Sequence, residues 1–127
     1  MDSRQHMDRA HWDALIEEGF VPGVELHVEA MFFSTDQEAA EELAVDLCGR
    51  GWHAETWSEV TGRLFWKKTV WGVVAQREVC FASVDDIHRM TADLDQTSDG
   101  HRSVFDGWGA ELGPLDADAD ASEAAPR

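Results

Sequence analysis

The chain has 127 residues, 43% of them apolar, which suits one domain with a real core and excludes a chain that is disordered throughout. Its 26 Asp and Glu against 10 Lys and Arg give a formal net charge of −16. Phosphate-driven nucleic-acid binding needs a basic stripe, which is not evident here, and an anionic membrane is disfavoured for the same reason. A basic partner, a small ligand or a plain acidic domain stay open.

Residues 1–20 and 116–127 each carry −3, so the body between them holds −10 and its acidity is no tail effect. No apolar run approaches the roughly 18 residues that span a bilayer, and the polar start MDSRQHMDRAHWD argues against a signal peptide. Two cysteines, Cys48 and Cys80, imply no disulfide framework, so a reduced cytoplasm is the expected location.

In chain order, Met7–Glu18 is predicted helical, with Trp12, Leu15 and Ile16 on one stripe, Gly19 as its terminator and Pro22 beyond. Val24–Phe33 alternates: Val24, Leu26, Val28, Ala30 and Phe32 point one way, and Glu25, His27, Glu29, Met31 and Phe33 the other. Ser34 or Thr35 is expected to cap the next helix, with Thr35 and Glu38 forming a capping box. That helix buries Ala39, Leu43 and Leu47 and ends at Gly49 and Gly51. Trp52–Glu59 and Leu64–Val79 are predicted strands of one hairpin turning at Thr61-Gly62, with Gly72 marking a bulge or a close backbone approach. Ser83 caps a helix with Ile87, Met90 and Leu94 inward, Ser98-Asp99-Gly100 breaks it, and a last strand runs from about Arg102 to Leu112. The remaining acidic, low-complexity tail is expected to be disordered.

An α, then β-α-β-β-α-β order with right-handed crossovers predicts an α+β, ferredoxin-like sandwich: a four-stranded antiparallel sheet with both main helices on one face and the first and third strands central. The division expected is an N-terminal helical segment at residues 1–22 packing on the domain, the domain at 23–115 and the tail at 116–127.

Few residues ask for catalysis or metal. None of the six His pairs with another at helical spacing, and the calcium-like Asp116, Asp118 and Asp120 lack the required Gly and terminal Glu. Glu25, His27 and Glu29 share a strand face and form the one acid/base candidate, set against a plain polar face. Cys48 sits at a helix C-terminus, an unfavourable place for a thiolate. No phosphate loop or nucleophile elbow is present, so no cofactor and no enzyme are expected.

Charge placement is more informative. The two main helices hold ten acids, among them Glu38, Glu41, Glu42 and Asp46, against Arg50 and Arg89. Arg63, Lys67, Lys68 and Arg77 sit on the hairpin, as a polarised surface or as protection against edge pairing. Asp106-Gly107-Trp108-Gly109 is the most specific local feature: either a bulged strand that drops Trp108 into the core, or an aromatic anchor for a partner.

Leu15 with Glu18-Gly19 and Pro22, Ser34-Thr35-Asp36 after the first strand, Gly51-Trp52, and Phe105-Asp106-Gly107-Trp108-Gly109 together resemble the family of regulators of ribonuclease E activity, type B, over roughly residues 8–115. The resemblance implies a ferredoxin-like fold and a non-enzymatic, bacterial, cytoplasmic inhibitor. Its partner would be a ribonuclease E-type endoribonuclease or another basic protein, contacted through protein and including the enzyme's basic region. Expected contacts are the motif residues Asp106, Gly107, Trp108 and Gly109 and, from charge placement alone, Glu38, Glu41, Glu42 and Asp46, with no direct nucleic acid, no membrane, and a homodimer left open. The Trp- and Lys-rich hairpin (Trp66, Lys67, Lys68, Trp71) and the short tail depart from the family. The alternative is a small-ligand or sensory module on the same fold.

Overall fold

A computed structural model describes residues 3–111. The elements are α1 (Ser3–Glu17), β1 (Glu25–Ser34), α2 (Gln37–Gly49), β2 (His53–Thr61), β3 (Lys68–Cys80), α3 (Val84–Asp99) and β4 (Ser103–Glu111). The tail from 116 on, with Asp116, Asp118 and Asp120, lies outside the described residues.

The sheet is antiparallel with strand order β2-β3-β1-β4. The central pair is β1 and β3, with Ala30 opposite Ala75 and Phe32 opposite Val73. The alternation of β1 sorts its side chains. Leu26, Val28, Ala30 and Phe32 are buried and join Leu43, Leu47, Ile87 and Leu94 of the helices in one core. Burying the Leu, Val, Ile and Phe side chains among them is the main drive for the fold, at about 1.5–3 kcal/mol each.

Helix α1 ends as its sequence predicts. Gly19 adopts φ 104°, the Gly19 N–H donates to Ile16 O at 3.1 Å and the Phe20 N–H to Leu15 O at 2.9 Å. That is a Schellman motif, and the accompanying apolar contact is supplied by buried Leu15 and Phe20. The helix begins earlier than its apolar stripe suggests, at Ser3 instead of Met7. It lies against α3, where Asp8, 1% exposed, accepts from Thr91 Oγ1 at 2.7 Å and meets His88 Nδ1 at 3.0 Å.

Two local expectations are corrected. The N-cap of α2 is Asp36, whose extended backbone lets its Oδ1 accept from the Ala39 N–H at 2.8 Å; neither Ser34 nor the Thr35–Glu38 box performs this role. The Asp36 carboxylate reaches the N3 amide directly, while the Thr35 N–H is directed to Arg102 O at 3.2 Å. The third strand starts at Lys68, not Leu64. Gly62 at φ 104° and Leu64 at φ 42° leave the extended region, and the Trp66 N–H closes a turn on Arg63 O at 2.7 Å. Strand propensity reports fit to a half-buried pleated surface, and the tip has no such surface to fit. Gly72 makes the close approach: a Cβ there would collide with the Phe32 carbonyl oxygen and the Trp57 ring.

Candidate partner-binding surface

Helices α2 and α3 form the acidic layer. Glu38, Glu41 and Glu42 are exposed on α2, and Asp46 is half-buried one turn further on. Both cations of the layer are engaged within it. The Arg50 Nε donates to Asp46 Oδ1 at 2.8 Å and its Nη1 to Asp93 Oδ1 at 3.3 Å, and Arg89 pairs with Asp86. These pairs satisfy local geometry and leave the layer strongly negative, because carboxylates outnumber the two guanidinium groups.

Asp46 is tied twice. Besides Arg50, it receives His101 Nε2 at 2.8 Å, and His101 Nδ1 lies 3.8 Å from Glu42 Oε1. The His101 hydrogen bond, then Arg50, holds the Asp46 carboxyl below its ordinary range. Asp36 is held low first by the Ala39 amide and next by Arg102, whose Nη1 donates to Asp36 Oδ2 at 3.1 Å. Glu41 accepts from Gln37 Nε2 at 3.1 Å. The layer is thus a set carboxylate surface, with Asp46 stitching α2 to the α3–β4 connection and Glu38, Glu41 and Glu42 facing outward.

The glycine-flanked tryptophan sits on β4, opposite β1. Met31 faces Gly107 and Phe32 faces Phe105, so Asp106 is the extra residue of a bulge. Gly107 takes φ 152° and Trp108 falls opposite the small Ala30. The indole is 8% exposed, packed on His11 at 4.4 Å and edge-on to Phe81 at 5.9 Å between ring centroids. Of the two sequence readings of Trp108, the structure takes the bulged strand and the buried ring. Asp106 and Gly109 remain exposed at the surface above it.

The strand group of Glu25, His27 and Glu29 is on the sheet face away from the helices. His27 Nδ1 meets Glu78 Oε2 at 2.6 Å across the sheet, and that bond, outweighing the small loss of hydration, raises the imidazole above its ordinary value. Glu29 accepts from Gln76 Nε2 at 3.0 Å. A shallow hollow of about 390 Å³ is lined here by His27, Glu29, Gln76, Gly109, Ala110 and Glu111. It holds an imidazole and carboxylates but no hydroxyl, thiol or amine nucleophile. A second hollow of about 330 Å³ lies where α1 meets α3, beside Asp8, His88 and Thr91. No group of three or more His, Cys, Asp or Glu able to hold a metal occurs among the described residues. No described helix is long and apolar enough to cross a membrane.

A family model described as Regulator of ribonuclease activity B matches residues 5–110. The chain belongs to that family. The match touches every described element of the fold, from Gln5 in α1 to the penultimate residue of β4, and includes both the acidic layer and the bulged Trp108. A search of curated proteins finds no match.

Sequence reasoning missed one surface of this RraB-family chain. The turn between β2 and β3 carries Leu64, Phe65 and Trp66 at 78%, 90% and 81% exposure, beside Arg63, Lys67 and Lys68. These residues pass for strand by composition. The available signal was the loss of alternation: three large apolar residues in succession, then two lysines, with Gly62 just before.

Proposed function

We propose that this protein is a non-enzymatic regulator that binds and restrains a ribonuclease E-type endoribonuclease, or a similarly basic ribonuclease, by protein–protein contact. Membership of the RraB family supplies the ribonuclease. The helical layer supplies the chemistry: nine carboxylates on α2 and α3, with the N-cap Asp36 a tenth, outnumber Arg50 and Arg89, which are already paired inside it. A basic segment of the enzyme is the complement of such a surface, and its docking would be steered by charge and weakened by salt. Glu38, Glu41 and Glu42 contact that segment; Asp46 positions α2 through His101; Asp106 and Gly109 extend the contact over β4, held in place by Gly107 and buried Trp108. The strand order, with β1 and β3 central, supports a ferredoxin-like arrangement for the described part of the domain proposed at 23–115, carrying α1 as an added layer. On this proposal the protein acts in RNA decay in a bacterial cytoplasm.

The test is titration of the full chain against a ribonuclease E-type enzyme by calorimetry over a salt series. Binding is expected to tighten as salt falls. The Glu38→Lys, Glu41→Lys, Glu42→Lys triple variant should lose about tenfold or more in affinity, about 1.4 kcal/mol, while its circular dichroism stays unchanged. No binding at low salt, or binding indifferent to salt, would sink the electrostatic reading.

A further inference from the structure

The β2–β3 hairpin outruns the sheet that carries it. β1 pairs with β3 only as far as Ser34 opposite Trp71, yet β2 continues along β3 through Glu59–Val70 and Val60–Thr69 to Thr61–Lys68. Three residues of β3 therefore extend beyond the central strand, about 10 Å at strand rise, before the turn begins. The turn itself is defined. Gly62 is required there, because a Cβ would collide with the Trp66 carbonyl, and Trp66 closes on Arg63. At its tip Leu64, Phe65 and Trp66 are almost wholly exposed, and the side chains of Arg63, Lys67 and Lys68 form no ion pair with any described residue. Three contiguous exposed apolar residues on a structured turn mark an interaction site.

We propose that this arm docks on the acidic α2 face of a second copy of the chain. Charge complementarity selects the occupant. The arm carries three positive charges on a chain whose body is otherwise strongly negative, and the same chain carries the matching surface. Glu41, Glu42 and Asp46 surround Val45, an apolar side chain left 73% exposed, in a shallow hollow of about 410 Å³ that also touches His101. An aromatic ring of the tip covers Val45, and Lys67 and Lys68 reach the carboxylates around it. Elsewhere two copies at −16 repel, so the arm is the feature that brings them together. The two surfaces differ, so the contact is heterologous unless both arms exchange about a two-fold axis.

One consequence rests on the proposed ribonuclease reading. The arm is a basic segment that competes with the enzyme for Glu41 and Glu42, so self-association withholds the regulator. The self-association itself does not depend on that reading, and its test contains no ribonuclease.

Sedimentation velocity of the full chain, from about 5 to 500 µM, at low and high salt, decides it. Concentration-dependent association at low salt that recedes at high salt is expected. Lys67→Glu with Lys68→Glu, and separately Phe65→Ser with Trp66→Ser, should each raise the dissociation constant at least tenfold with circular dichroism unchanged. Glu41→Lys with Glu42→Lys should do the same. Mixing the lysine-reversed arm variant with the glutamate-reversed helix variant should restore association, because each then meets an opposite charge. A chain that stays monomeric at every concentration in low salt overturns the proposal, as does association that survives the arm variants. So does a monomer that binds anionic phospholipid vesicles through the arm, the pattern of a membrane-surface loop.

Discussion

Trp108 and Trp66 are the same side chain in opposite situations. Trp108 is 8% exposed, on a strand, with glycine on each side; Trp66 is 81% exposed, on a turn, with two lysines after it. The difference lies in what the neighbouring backbone allows. The bulge at Asp106 and the φ of 152° at Gly107 re-aim β4 so that the indole enters the core opposite Ala30. At the arm no second layer exists, since β1 has already ended and the helices cover the other part of the sheet. A tryptophan's role is therefore set by whether a layer faces it, and flanking residues indicate which case applies only when they are read as backbone geometry.

Trp108→Ala gives the largest effect. Removing a buried aromatic side chain typically costs about 3–5 kcal/mol through lost burial and the cavity that remains. Urea unfolding should show that drop with little change in the slope. A loss below about 1 kcal/mol would mean that the ring contributes little to the core, and the contrast with Trp66 would collapse.

Gly72→Ala probes a feature the sequence did show. A glycine inside a β-rich run signals a bulge or close contact, and the contact is real: Phe32 O and the Trp57 ring occupy the space of a Cβ. Overpacking of this kind costs about 1–3 kcal/mol, measurable in the same unfolding experiment. Strand β1 from Leu26 on, the stripes of α2 and α3 and the glycine at the end of α1 were legible because period and terminators are local properties; Ile16 of the α1 stripe and Val24 before β1, both expected inward, are exposed. The start of β3 was not, since Leu64, Phe65 and Trp66 satisfy strand propensity while lacking any strand neighbour. The acidic layer was legible as composition, and Arg89–Asp86 and Arg50–Asp46 are local pairs at helical spacing, but the pairing of Arg50 with Asp93 needed three dimensions, because Asp93 lies on another helix. Asp36 as a cap was hidden by two equally good capping candidates immediately before it.

A smaller effect separates the buried and open faces by pH. Burial beside Trp108 lowers the His11 imidazole below its ordinary 6.5, with Asp8 opposing. The bond to Glu78 raises His27 above the same value. The signs differ. His11 favours folding above pH 6.5, and that contribution is lost as pH falls through its lowered value. His27 favours folding below 6.5, and its contribution is lost as pH rises through its raised value. Proton NMR of the ring signals should show His11 titrating at lower pH than His27. In unfolding experiments His11→Gln should flatten the acid side of the stability profile, and His27→Gln the side near neutrality. A reversed order of titration would show that His11 is hydrated and that the Trp108 region is open to water.

Trp66→Ser is expected to do least to the isolated fold, within about 0.5 kcal/mol, as for exposed positions outside caps and cores. The reason is geometric. The side chain has no covering layer, and the turn is closed by its backbone N–H on Arg63 O, a bond that serine keeps. Removing the indole thus takes away surface that was already in water. The measurement belongs at low protein concentration and high salt, where the proposed contact between copies is dissolved. A drop of 2 kcal/mol or more under those conditions would place Trp66 among the residues that build the domain, and the two tryptophans would then differ in degree, with the arm packed on its own chain. An unchanged monomer that has lost its association at low salt would place the whole contribution of Trp66 between molecules. Stability then reports on Trp108, association reports on Trp66, and the same unfolding and sedimentation experiments applied to both residues separate the core of this RraB-family domain from the surface it offers.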